Sequence, residues 1–263
     1  MTKVYICEKG KRSRIVLGVD PKEIQPNSTV ILGFAGIGLI GPIVTNELVE
    51  KIEDIKQIGF VASDSFPPIA VFTDGILKRP FRLYYSESKN IVVGVCDLPF
   101  STPKDYSDLA RTICNWALSQ DIKAKEMVIL QGIPTLNMVE KFKVFFAAEK
   151  EIKEKLEKLG LEIIPKGLVV GPEATILNEC LNNPIDAYIL FTDAYQQIPT
   201  PEGGAEIIKA LNTIYQLGVD VSDLLERGKE IKNKMMELAQ KAQQMHLSQK
   251  EPGSKERYSQ LFM

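Results

Sequence analysis

At 263 residues, with 44% hydrophobic and 25% charged positions, the chain can bury one large core, or one core plus an appendage. A formal net charge of −2 offers no basic face for nucleic acid or for an anionic membrane surface. No apolar run reaches the length of a membrane span, and the opening MTKVYICEKGKR lacks a signal-like apolar stretch, so a cytoplasmic protein without a membrane partner is expected.

In chain order, Val4 to Cys7 and Arg14 to Leu17 read as short strands around the basic turn Lys9 to Arg12. After a loop at Asp20-Pro21, the unalternating β-rich run from Thr29 to Leu32 suits a strand buried on both faces of a parallel sheet. Glycines 33, 36, 38 and 41 follow, and Pro42 opens a helix whose apolar positions Ile43, Val44, Leu48, Val49 and Ile52 recur at helical spacing. Ile58 to Ala62 is the next strand. Beyond it, Ile69 to Phe72 and Phe81 to Tyr85 flank Asp74-Gly75 and read as a hairpin.

Ile91 to Cys96 is a strand, and Thr102-Pro103 opens a helix to about Ser119 with Leu109, Ile113 and Trp116 on one face. Met127 to Leu130 is a buried strand ending in Gln131 to Thr135, and Val144 to Ala148 is another. A charged helix from Glu149 to Leu159 closes at Gly160. Gly167 to Pro172 repeats the strand, glycine, proline-led helix design, and Ala187 to Phe191 is the last strand. The pattern predicts an α/β domain with a mixed sheet over residues 1–218.

After Pro201 to Gly204 come a helix from Ala205 to Leu217 and a second over residues 219–247. In the second, Leu224, Gly228, Ile231, Met235, Leu238, Ala242 and Met245 form a heptad seam. Leu224, Ile231, Met235, Leu238 and Met245 are candidate oligomerisation residues, and packing on the parent domain is the other reading. Residues 248–263 are polar, contain Pro252-Gly253 and predict a flexible tail tipped by Leu261, Phe262 and Met263. An apolar tip on a polar tether can insert into a partner's pocket.

Gly36, Gly38 and Gly41 have the GxGxxG spacing of dinucleotide sites. The acidic residue such a fold places about 20 positions later would be Glu53 or Asp54, in a charged helix end, and Phe66-Pro67-Pro68 starts no crossover helix. A nucleotide is therefore not the expected ligand. The strand ends do offer Gly36, Gly38, Asp64 and Asp193 as a possible pocket for a small anion, with Asp97, Gly132 to Thr135 and Glu173 at neighbouring ends. The four cysteines form no CxxC pair, and the single histidine, His246, lies in a polar stretch. No nucleophile has a matching base, so no catalytic residue, metal or cofactor is expected.

The ordered segments GFAGIGLIG, SFPPIAVFTDG, RPFRLYY, CDLP, QGIPT, GPEATILNECL, FTDAY and PTPEGGAEIIKALNTIYQLGVD together resemble the PAC2 family, the proteasome assembly chaperone 2 superfamily, in its archaeal form. The resemblance implies a three-layer α/β/α, nucleoside-phosphorylase-like fold with a mixed, mostly parallel sheet and without an inherited catalytic site. It also implies an ATP-independent, homo-oligomeric chaperone or adaptor for proteasome α-subunits or the α-ring. Some members carry a C-terminal hydrophobic-Tyr-any motif that docks between α-subunits; the matching positions here are Leu261, Phe262 and Met263, with Phe262 lacking the tyrosine hydroxyl. An enzyme of phosphorylase or ligase type, holding an anion at the glycine turn, is the alternative.

Overall fold

The computed structural model describes residues 4–100, 106–136, 138–231 and 233. Twelve strands and five helices run in the order β1 (Tyr5–Lys9), β2 (Ser13–Leu17), β3 (Thr29–Phe34), α1 (Ile40–Lys51), β4 (Lys56–Ser63), β5 (Val71–Thr73), β6 (Ile76–Lys78), β7 (Phe81–Ser86), β8 (Ile91–Cys96), α2 (Tyr106–Leu118), β9 (Glu126–Thr135), β10 (Val144–Ala148), α3 (Lys150–Lys158), β11 (Glu162–Ile163), α4 (Pro172–Leu181), β12 (Asp186–Tyr195) and α5 (Pro201–Tyr215). Residues 222–231 are also helical and are called here the C-terminal helix. Thr102-Pro103, the expected start of α2, lies outside the described residues.

Ten strands form one sheet in the order β1-β2-β4-β7-β8-β3-β9-β12-β10-β11. Alternate residues along β3 explain the layers: Val30, Leu32 and Phe34 face one core with α2 and α4, while Ile31 faces a second core with α1, α3 and α5. Every residue of β3 and of β8 is buried, as the unalternating runs require. This is the expected α/β/α sandwich.

Strand direction departs from expectation. The block β8-β3-β9-β12 is parallel and β10 pairs parallel with β11, but β1-β2, β2-β4, β4-β7, β7-β8 and β10-β12 are antiparallel. The large sheet is therefore mixed, with antiparallel pairings slightly in the majority. Connection length explains two of these pairs: residues 10–12 and 87–90 are too few to carry a crossover, which needs a dozen or more, so β1-β2 and β7-β8 must reverse.

Three local expectations also shift. Asp74 and Gly75, both at positive φ, make the anticipated tight turn, but it pairs Thr73 with Ile76, so the small hairpin is β5-β6, and Phe81 to Ser86 joins the large sheet instead. Strand β9 continues through Pro134. It pairs with β3 only as far as Leu130, so the proline's missing N–H falls where no β3 neighbour needs it. The run Gly167 to Val170 forms no strand. Its Leu168 and Val170 are 96% and 76% exposed, and the Val170 carbonyl accepts instead from Gln131 Nε2 at 3.2 Å.

Candidate functional site

The carboxyl ends of β3, β4, β8, β9 and β12 lie along one edge of the sheet, where open α/β folds carry ligands and contacts. At its centre is the glycine turn. Gly33 and Gly41 let the first turn of α1 rest on β3: a Cβ on Gly41 would lie 2.5 Å from both the backbone N and O of Phe34. Gly38 adopts φ 63° and faces the end of β12, where a Cβ would come within 2.6 Å of Ala194 and 2.8 Å of Thr200 Oγ1. The Thr200 N–H donates to the Gly38 carbonyl at 2.9 Å, and the Tyr195 N–H donates to Thr200 Oγ1 at 2.9 Å. The protein's own β12-α5 connection thus packs into the turn that a phosphate would occupy in a dinucleotide fold.

Of the four residues expected to share a pocket, Gly38 and Asp193 are near neighbours through Ala194, whereas Asp64 is not. It follows β4 and is separated from β12 by β7, β8, β3 and β9; it is exposed, and its N–H donates to the Arg12 carbonyl at 3.0 Å. Asp193 is half-buried against the first turn of α5, where its carbonyl would lie 3.0 Å from a Cβ on Gly203. Gly36 faces a different acid: Glu173 Oε1 would lie 3.8 Å from a Cβ there.

Glu173 stands in the first turn of α4, is 4% exposed, and has its pKa pushed up to about 7 by burial, with its own backbone N–H pulling weakly the other way. Asp97, another strand-end acid, is taken up by structure. Arg82, 4% exposed, donates to Asp97 Oδ2 at 2.6 Å, to the Arg79 carbonyl at 2.8 Å and to the Tyr84 hydroxyl at 3.2 Å. Asp97→Ala is expected to cost about 2 kcal/mol in urea unfolding, because the buried guanidinium keeps its two other acceptors but loses its counter-charge. Among the described residues no group of His, Cys, Asp and Glu could hold a metal ion.

The same edge carries exposed apolar side chains. On the β5-β6 hairpin, which pairs with no other strand, Phe72, Ile76 and Leu77 are 69%, 65% and 77% exposed. Leu136, just past β9, is 94% exposed, and Leu168 and Val170 precede α4. Apolar clusters of this kind on a folded chain mark contact surfaces. The sequence already held the hairpin's residues, but reading them as one arm of a longer hairpin would have buried them in the sheet.

The C-terminal helix lies along α1. Arg227 Nη2 donates to Glu47 Oε2 at 2.8 Å, and Lys51 pairs with Asp223 at 2.5 Å, so the two helices run antiparallel. Leu224 is 2% exposed in the core of its own domain, Gly228 meets Glu202 side-chain atoms, and Ile231 lines a cavity with α1. From Leu224 to Ile231 the heptad seam therefore faces its own domain. Met235, Leu238 and Met245 lie outside the described residues, as do Leu261, Phe262 and Met263.

The architecture is that of an α/β/α domain with exposed apolar side chains at the carboxyl edge of its sheet. The PAC2 family model matches residues 30–239, and the chain belongs to the PAC2 family. A Methanocaldococcus jannaschii relative, the uncharacterized protein MJ0106, is 32% identical over 228 residues, covering 86% of this chain and 91% of its own. A Thermoplasma acidophilum protein of unknown function has a similar structure, with 30% identity, a TM-score of 0.71, and 88% of this chain and 93% of that one covered. Pyrococcus furiosus PbaA, described as an archaeal homolog of proteasome-assembly chaperone, shares the fold at 24% identity and a TM-score of 0.77, covering 91% of this chain and 96% of its own.

Proposed function

We propose that the chain is an ATP-independent assembly chaperone or adaptor that binds proteasome α-subunits, or the α-ring, as a homo-oligomer in the cytoplasm. The observation that carries this reading is the run of exposed apolar side chains along one edge of a PAC2-family domain. Its fold is shared by PbaA and by Pyrococcus furiosus PbaB, an archaeal proteasome activator. The β5-β6 hairpin presents Phe72 and Leu77 and the end of β9 presents Leu136 to the partner, no covalent chemistry is involved, and Leu261, Phe262 and Met263 supply a second contact.

The test is size-exclusion chromatography with light scattering of the chain alone and mixed with α-subunits from the same source. A complex at micromolar concentration is expected, and the double variant Phe72→Asp, Leu77→Asp should weaken it by about tenfold or more, the usual scale for losing central apolar anchors. Deleting Leu261 to Met263 should weaken it further. Absence of any complex overturns the proposal; a complex indifferent to both changes overturns the assigned surfaces.

A further inference from the structure

Between β11 and α4 the chain crosses the outer strands of the sheet as an irregular run. At one end the Ile164 N–H donates to the Phe146 carbonyl of β10 at 3.0 Å, and at the other the Val170 carbonyl accepts from Gln131 of β9. Against this run opens a cavity of about 260 Å³, with Ile133, Ala147, Ile164 and Phe191 on the apolar side and Lys166 to Val169 as the opposing wall. A second cavity of about 260 Å³, lined by Leu177, Leu181 and Ile189, shares Ala147 and Val169 with the first. Lys166 is the one charged residue of the first cavity.

The wall carries unused donors. Among the described residues the N–H groups of Gly167, Leu168 and Val169 donate to no acceptor, and the Lys166 ammonium has no acidic partner. Glu162, the nearest acid in the chain, is paired with Lys143 at 3.0 Å. The donors are reachable from solvent, because Lys166, Gly167 and Leu168 are exposed. Neighbouring N–H groups beside an ammonium favour an anion, while the apolar side of the same cavity favours a hydrocarbon.

We propose that this cavity binds a medium-chain alkyl carboxylate. The head accepts from Lys166 and the free N–H groups beside it, and the alkyl chain lies on Ala147, Ile164 and Phe191. The positive wall selects a carboxylate over an alcohol or an amine, and the volume suits a short hydrocarbon chain rather than a folded partner. The site is independent of the proteasome reading: Phe72, Leu77 and Leu136 do not line it, and its test contains no α-subunit.

The test is isothermal titration of the full chain with sodium octanoate, using octan-1-ol, octylamine and acetate as neutral, cationic and head-only controls. Saturable one-to-one binding of octanoate is expected, with each control weaker by about tenfold or more, the scale of one charge-assisted hydrogen bond. Each methylene removed in going to hexanoate should cost roughly fourfold. Lys166→Gln, at an exposed position, should lower octanoate affinity by about tenfold with an unchanged melting temperature. Ala147→Leu, which fills the apolar side, should also lower it while leaving every donor in place. Equal binding of octanoate and octan-1-ol, no saturation by about 10 mM, or undiminished affinity in Lys166→Gln overturns the proposal. So does binding of the peptide acid N-acetyl-Gly-Leu-Phe where octanoate does not bind.

Discussion

Gly41→Ala is expected to destabilise the protein by about 3 to 5 kcal/mol, at the severe end for a single substitution, read as a shift of the urea midpoint. The added methyl would sit 2.5 Å from the backbone N and O of Phe34, and backbone in the middle of a ten-stranded sheet cannot move aside. Alanine is the better helix former by about 1 kcal/mol, so propensity alone predicts the opposite sign. The clash decides it, because α1 can relieve the contact only by lifting off β3 and opening the core around Val44 and Leu48. A control at Gly160, which is outside the sheet and has nothing within 4 Å of a built Cβ, should cost far less, namely the strain of its positive φ. Equal costs at the two positions would refute the close-packing account of the turn.

The second large effect is on pH dependence. Burial pushes the Glu173 carboxyl from its ordinary 4.5 up to about 7 in the folded protein. Below about pH 4.5 the carboxyl is neutral in both states and burial carries no ionic penalty. Between there and pH 7 the unfolded chain gives up a proton that the folded chain keeps, so stability falls as pH rises, by roughly 3 kcal/mol in all. Above pH 7 the loss is complete and the curve flattens. Glu47, also raised by burial, adds to the same trend, with Arg227 opposing it. The carboxyls held low by hydrogen bonds, Asp54 and Asp108, act below this window and in the opposite sense. In Glu173→Gln the urea midpoints at pH 5 and pH 8 should converge, since the amide cannot ionise. A slope identical to the parent chain would mean that Glu173 does not titrate in this range.

Much of the site's surroundings was readable in advance. The resemblance led to the family, and the glycine spacing marked the turn at the centre of the carboxyl edge. Glu47 could have been found as well: it lies four residues after Ile43 and three after Val44, on the apolar stripe of its helix, where an acid needs a partner. The identity of that partner was not readable. Arg227 is 180 residues away, and only the antiparallel packing of the C-terminal helix on α1 brings the pair together.

The sequence by itself determined the periodic features: which runs were buried on two faces, that a helix begins at Pro172, and that Asp74-Gly75 makes a tight turn, whereas α1 starts at Ile40, two residues before Pro42, and α5 at Pro201 rather than Ala205. These are local, because side-chain alternation and φ preference act over a few residues. Tertiary structure alone decided strand order and partnership. Asp64 and Asp193 both follow strands at the same edge, yet four strands stand between them, so they cannot share a ligand. Leu168 and Val170 have strand-like neighbours but no strand to pair with, and so become exposed surface. Each outcome depends on which segments compete for the same sheet edge or core face, and that competition is settled by contacts among residues far apart in the chain.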